Sequence, residues 1–151
     1  MKKFSFNLER LLRLREHEEH DWEIKLGQRV TECVRLETEM RGRTSEIERT
    51  LKTRGSFDGR EDEMFIMEMY KRRMTSELQE LGSELKTAES KRDEVREEFL
   101  EVSRKRKVLT KLKEKREAEY YKQQLKIEHD LVDEINNARA VTQSRVGGLT
   151  K

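Results

Sequence analysis

Apolar residues recur along this chain at spacings of three and four, interrupted once, and no proline breaks the pattern. Leu8, Leu12, Trp22, Leu26, Val30, Cys33, Leu36, Met40, Ile47 and Leu51 lie near one helical stripe, with Arg15, Glu19 and Thr44 at the remaining stripe positions. A second run follows: Met64, Met67, Tyr70, Met74, Leu78, Leu81, Leu85, Ala88, Val95, Phe99, Val102 and Leu109, with Arg92 and Arg106 as its polar members. Such heptad-like repeats with stutters are the pattern of a coiled coil. Without proline, no position forbids a helix interior. The interruption, residues 54–59, holds Gly55, Ser56, Asp58 and Gly59 around Phe57, which is turn chemistry, and Asp58 suits a helix cap.

Composition excludes a globular core. Charged residues make up 44% of the chain and mean hydropathy is −1.08, values shared by disordered chains and by long solvated helices. The charges decide between these two classes. The 34 basic and 32 acidic residues are interleaved and leave a net charge of only +2, whereas disorder usually comes with a large imbalance. The expected fold is therefore all-α: two long helices in an antiparallel coiled-coil hairpin, forming a single domain. Helix one is expected over about 5–53, a turn over 54–59, helix two over about 60–142, and a fraying tail over 143–151.

A turn centred on Phe57 brings together residues whose numbers total about 114, by simple reflection of the chain. In that register Leu12 meets Val102, Leu26 meets Ala88, Cys33 meets Leu81, Leu36 meets Leu78, Met40 meets Met74 and Ile47 meets Met67. Trp22 faces Arg92 as a cation–π pair. Arg15 faces Phe99, and Leu8 lies on the stem of Arg106. The apolar pattern matches equally well one heptad away, so turn length alone selects this register. The second helix is much the longer, roughly 120 Å against roughly 70 Å. From about Thr110 onward it is expected to lack an intramolecular partner. The stripe nevertheless continues through Leu112, Tyr120, Ile127, Leu131, Ile135 and Ala138. A solitary helix has no use for an apolar stripe, so this arm calls for a partner. Polar seam residues and Gly27, Gly42 and Gly82 inside helices point to modest stability, since each glycine costs about 1 kcal/mol relative to alanine.

Catalysis is not expected. No phosphate-binding glycine loop or nucleophile elbow is present, and carboxylates on a helix surface lack a cleft that would tune them. His17 and His20 share a helix face at a spacing a metal tolerates, but with no cysteine nearby they read as a solvated pair, and neither metal nor cofactor is expected. Cys33 is the only cysteine, which excludes a disulfide framework and suits a reducing compartment. Met1-Lys2-Lys3-Phe4 has the charge of a signal sequence, but Asn7, Glu9 and Arg10 interrupt it before an apolar run forms. No membrane insertion is expected.

Two surface features stand out. Arg104, Lys105, Arg106, Lys107 and Lys111 form a basic collar, continued by Lys113, Lys115 and Arg116. A nucleic-acid footprint would dominate the domain's charge, which is nearly balanced here, so an acidic protein surface is the expected partner rather than DNA or RNA. The run Met64–Tyr70 is too apolar for a two-helix seam. Phe65, Ile66 and Met69 cannot all face inward with Met67 and Tyr70. Two readings stand: packing of a widened tip beneath Phe57, or an adaptable methionine-rich docking patch.

The ends of the chain carry a resemblance. Phe4-Ser5-Phe6-Asn7-Leu8-Glu9-Arg10-Leu11-Leu12-Arg13-Leu14-Arg15-Glu16 resembles the N-terminal signature of the flagellar FliJ proteins. Leu112-Lys113-Glu114-Lys115-Arg116, then Tyr120, Glu128, Asp133-Glu134 and Arg139, is similar to that family's C-terminal helix. The resemblance implies a component of bacterial flagellar type III protein export, similar in shape to the γ stalk of rotary ATPases. It implies a chain that binds the hexameric export ATPase and promotes its assembly and activity, links it to the cytoplasmic domain of the export gate, and handles export chaperones. It also implies a cytoplasmic location, peripheral to the inner membrane at the flagellar base. With that role, Leu112, Arg116, Tyr120, Ile127, Leu131 and Ile135 are the expected ATPase-binding residues, and Phe57, Phe65, Ile66, Met69 and Tyr70 the gate-binding ones. The competing expectation is a homodimeric rod or adaptor in which the overhanging stripe pairs with a second copy.

Overall fold

The computed structural model describes residues 2–53 and 61–148. These form two α-helices, α1 (Glu9–Thr53, 45 residues) and α2 (Glu61–Gly147, 87 residues), with no strand among the described residues. The fold is the expected all-α hairpin with a longer second helix. The residues of the expected turn, including Phe57 and Asp58, and the last three of the tail lie outside the described residues. Both helices run unbroken through Gly27, Gly42 and Gly82. α1 starts at Glu9, later than periodicity places it, because the preceding residues are not helical and Glu9 donates its amide to the Phe6 carbonyl at 3.1 Å. Acidic Glu9 in the first turn of α1 and Glu61, Asp62 and Glu63 in that of α2 complement the helix dipoles.

The chain divides into two compact units. One spans Arg15–Arg104; the other joins Met1–Leu14 to Lys105–Lys151. In the first, α1 and α2 pair antiparallel around a small core of Cys33, Leu36 and Ala88, against which Leu81 and Leu85 pack. Leu36 is only 2% exposed. Across the seam Arg43 donates to Glu77 at 2.8 Å, and the Tyr70 hydroxyl donates to Thr50 Oγ1 at 3.4 Å.

These pairs correct the expected register. Reflection about Phe57 puts Arg43 opposite Lys71, but its partner is Glu77. It puts Ala88 opposite Leu26, but Ala88 packs with Cys33 and Leu36. It puts Met40 opposite Met74, but the Met40 methyl lies 3.8 Å from where a Cβ on Gly82 would stand. Each difference is about one heptad, as expected of a seam whose pattern repeats every seven residues. With Thr50 beside Tyr70, the end of α1 comes opposite about Met67. Met64, Phe65 and Ile66 then have no α1 residue opposite them, and all three are exposed. The cation on Trp22 is also not the expected one. Lys25 Nζ stands 4.3 Å from the Trp22 ring, one turn along α1, while the Arg92 guanidinium bonds the Asp93 carboxylate at 3.0 Å.

Ion pairs decorate the outside. Arg35 donates to both Glu32 and Glu39, and its hydrogen bond holds the Glu32 carboxyl below the usual range. Exposed pairs of this kind are screened by solvent and contribute little to the stability of the fold. Burial therefore dominates the stability of this unit. Leu36→Ala should cost about 2–4 kcal/mol in denaturant unfolding, whereas Leu131→Ala, at a position 56% exposed, should change it by less than about 0.5 kcal/mol. The register is testable directly. Cysteines introduced as R43C and E77C should be joined efficiently by a short bismaleimide, and R43C with K71C should not; the reverse outcome would restore the Phe57-centred register.

Candidate functional site

The second unit contains the features that bear on partner binding. The N-terminal segment before α1 lies as an irregular strap against α2. Tyr120 donates its hydroxyl to the Lys2 carbonyl at 2.6 Å, and its ring meets that of Phe4 at 5.7 Å between centroids. Phe6 is 6% exposed, and the Arg116 guanidinium carbon stands 5.9 Å from its ring centre. At the start of α1, Glu9 pairs with Lys113 at 2.9 Å. The aromatic rings supply burial, and the Tyr120 hydroxyl satisfies a backbone carbonyl that no helix could satisfy.

This strap corrects the expectation that α2 has no intramolecular partner from Thr110 onward. Arg116 and Tyr120 touch the N-terminal segment, and Lys113 pairs with Glu9 at the start of α1. Leu112 and Tyr120 are half-buried. The heptad displacement explains the change, because moving the pairing by seven residues lengthens the covered part of α2 at this end. Sequence reasoning missed Phe4, Phe6 and Lys2 as structural partners. The available signal was Phe4-x-Phe6, an alternation that suits an extended segment rather than a helix.

Beyond the strap α2 is bare. Every residue from Leu125 to Gly148 is exposed. Ile127 is 58% exposed, and Leu131 and Ile135 are similarly open. Leu125, Val132, Val141 and Val146 add to them. At about 100° per residue these side chains cover an arc of roughly 200°, with Val141 at one edge and Leu125 at the other. Glu128, Glu134, Arg139 and Arg145 interrupt the arc, and Lys126, Asp130, Asp133, Asn137 and Ser144 occupy the opposite face. Shallow depressions lie between successive turns, one lined by Leu125, Glu128, His129 and Val132, another by Ile135, Ala138, Arg139, Thr142 and Gln143. An arc this wide exceeds what one partner helix covers in a coiled-coil seam.

The other expected site residues divide in the same way. Lys105, Lys107 and Lys111 are exposed on the α2 stretch of this unit. In the Arg15–Arg104 unit Arg104 is exposed, and so are Phe65, at 68%, Ile66 and Met69. Tyr70 is half-buried and bonded to Thr50, so it belongs to the seam. Phe57 lies outside the described residues. His17 lies 3.8 Å from Asp21 and His20 lies 3.6 Å from Glu23 along α1, and no group of three metal-ligating side chains occurs among the described residues. No described helix is long and apolar enough to cross a membrane.

The geometry is that of a coiled-coil hairpin whose second helix carries a bare arm. Compared with known proteins, residues 4–145 match the family model described as flagellar FliJ protein. No curated protein and no solved structure matches the chain. The match spans most of the strap, both helices and nearly all of the arm, and the chain therefore belongs to the FliJ family, whose role lies in flagellar protein export.

Proposed function

We propose that this chain is a stalk-like coiled coil that binds the hexameric flagellar export ATPase, promotes its activity and couples it to the cytoplasmic domain of the export gate, working by binding and without catalysis of its own. It works in the cytoplasm, peripheral to the inner membrane at the flagellar base, and export chaperones are a further class of partner. The observation that carries this reading is the bare arm from Leu125 to Gly147, with its roughly 200° apolar arc, in a chain of this family. A ring encloses a helix on all sides, and so suits a broad arc. A homodimeric rod would cover one seam and leave the remainder wet.

Magnitudes show what the arm contributes. The side chains of Leu125, Ile127, Leu131, Val132, Ile135, Val141 and Val146 are already about half-covered by their own helix. Completing their burial is worth about 1 kcal/mol each. The total, about 7 kcal/mol, is of the same order as the rigid-body cost of association. Apolar burial alone therefore gives weak binding. The exposed Lys105, Lys107 and Lys111, with Arg104, attract acidic groups of the partner during approach and so act mainly by speeding encounter. The exposed Phe65, Ile66 and Met69 form the gate-facing patch, where flexible methionine side chains adapt to a partner.

Truncation after Gln124 keeps every strap contact and both pairing regions. The shortened chain should retain its hairpin by circular dichroism and melting, yet lose its stimulation of the export ATPase. Unchanged stimulation would remove the arm from the ATPase interface. A concentration-dependent dimer of the full chain in light scattering, lost on the same truncation, would favour the rod. Met69→Glu should weaken binding to the gate domain at least tenfold while leaving ATPase stimulation intact; if gate binding is unaffected, the tip patch serves packing alone.

A further inference from the structure

We propose that the N-terminal strap, residues 2–7, is a shoulder that fixes how far the arm enters its partner, so that the docking surface begins at Tyr121 rather than at Leu112. This inference rests on the arm being the ring-docking element. Up to Tyr120, α2 carries a second layer of chain: Phe6 is buried, Phe4 lies on Tyr120, Arg116 stands beside the Phe6 ring, and the Lys2 carbonyl accepts the Tyr120 hydroxyl. Tyr121, half-exposed and edge-on to Tyr120 at 5.6 Å, marks the end of that layer. From Leu125 the helix is naked.

A single helix is about 10–12 Å across, and a second layer of chain widens it substantially. A bore that closes on the naked helix therefore meets a step at Tyr120. The open part, residues 125–147, is roughly 35 Å long, and this length sets the depth of entry. The strap resists displacement because little chain has to be ordered to hold it. It is the short lead into α1, which begins at Glu9, and Glu9 is itself tied to Lys113 at 2.9 Å and to the Phe6 carbonyl at 3.1 Å. Tethering of this kind keeps the segment at a high effective concentration beside its site.

Backbone hydrogen exchange of the full chain, alone and mixed with the export ATPase, tests this, using wild type, a variant lacking residues 2–7, and Tyr120→Phe. In the wild type, ATPase should slow exchange at 125–147 and leave 112–120 and 4–6 unchanged. Removing the strap should speed exchange at 112–120 about tenfold in the free chain and let the ATPase footprint spread onto those residues. Tyr120→Phe keeps the ring and loses one hydrogen bond, and should speed the same amides about fivefold. If the ATPase slows exchange at 112–120 in the wild type, or releases residues 4–6, the strap is displaced and is no shoulder. A footprint that stays at 125–147 without the strap also overturns the proposal. Absence of any footprint on the arm overturns instead the ring-docking reading on which it rests.

Discussion

The packing of Ala88 against Cys33 and Leu36 governs how the two helices of the hairpin unit are used. A heptad seam is a ladder of nearly equivalent rungs, and a slide by one rung leaves each apolar residue facing another apolar residue. What distinguishes the rungs is detail. Ala88 is small enough to let Leu36 sink to 2% exposure. Arg43 finds a carboxylate in Glu77 where the alternative rung offers the like charge of Lys71. Fixing the rung then decides which residues go without a partner. At the tip Met64, Phe65 and Ile66 run past the end of α1.

The same seam explains why the hairpin is held by few contacts. Its buried apolar residues are scattered singly along the helices rather than gathered into a globular core. Ion pairs such as those of Arg35 with Glu32 and Glu39 run along a single helix, and such pairs support helix formation more than helix association. Cross-helix polar contacts such as Arg43 with Glu77 discriminate between registers at small energetic cost, because both partners remain part-exposed. A long two-stranded rod of this kind opens locally before it opens as a whole.

Periodicity made the helices legible, and absent proline with balanced charge made them credible against disorder. The register was not legible, because the pattern of Leu78, Leu81, Leu85 and Ala88 repeats at the interval by which it was displaced. That single ambiguity propagates. Ala88 moves from Leu26 to Cys33 and Leu36, and Trp22 takes Lys25 in place of Arg92. Leu112 and Tyr120, which a stripe analysis leaves open to a partner, are instead half-buried, Tyr120 against the N-terminal segment. The strap itself escaped periodicity because it has none of the helical kind. Phe4 and Phe6 alternate as in an extended segment, and their binding site, on the far end of the sequence, exists only once the register is known. The exposure of Ile127, Leu131 and Ile135, in contrast, needed only the unequal helix lengths.

An exposed apolar helix is costly to maintain in water, and the structure shows how this chain limits that cost. Of the stripe that continues beyond the basic collar, the first part is covered by the chain's own N-terminus. Only the part from Leu125 onward is left open, and there Lys126, Asp130 and Asp133 keep one face solvated while Glu128, Glu134, Arg139 and Arg145 break the apolar arc. Self-association through such an interrupted arc gains little, since a second helix would cover only part of it and would bury a charge in doing so. A surface that surrounds the helix gains from the whole arc, and its polar groups can meet Glu128, Glu134, Arg139 and Arg145 in turn. On the proposed reading, the interruptions that weaken homodimerisation also favour an enclosing partner over a second copy.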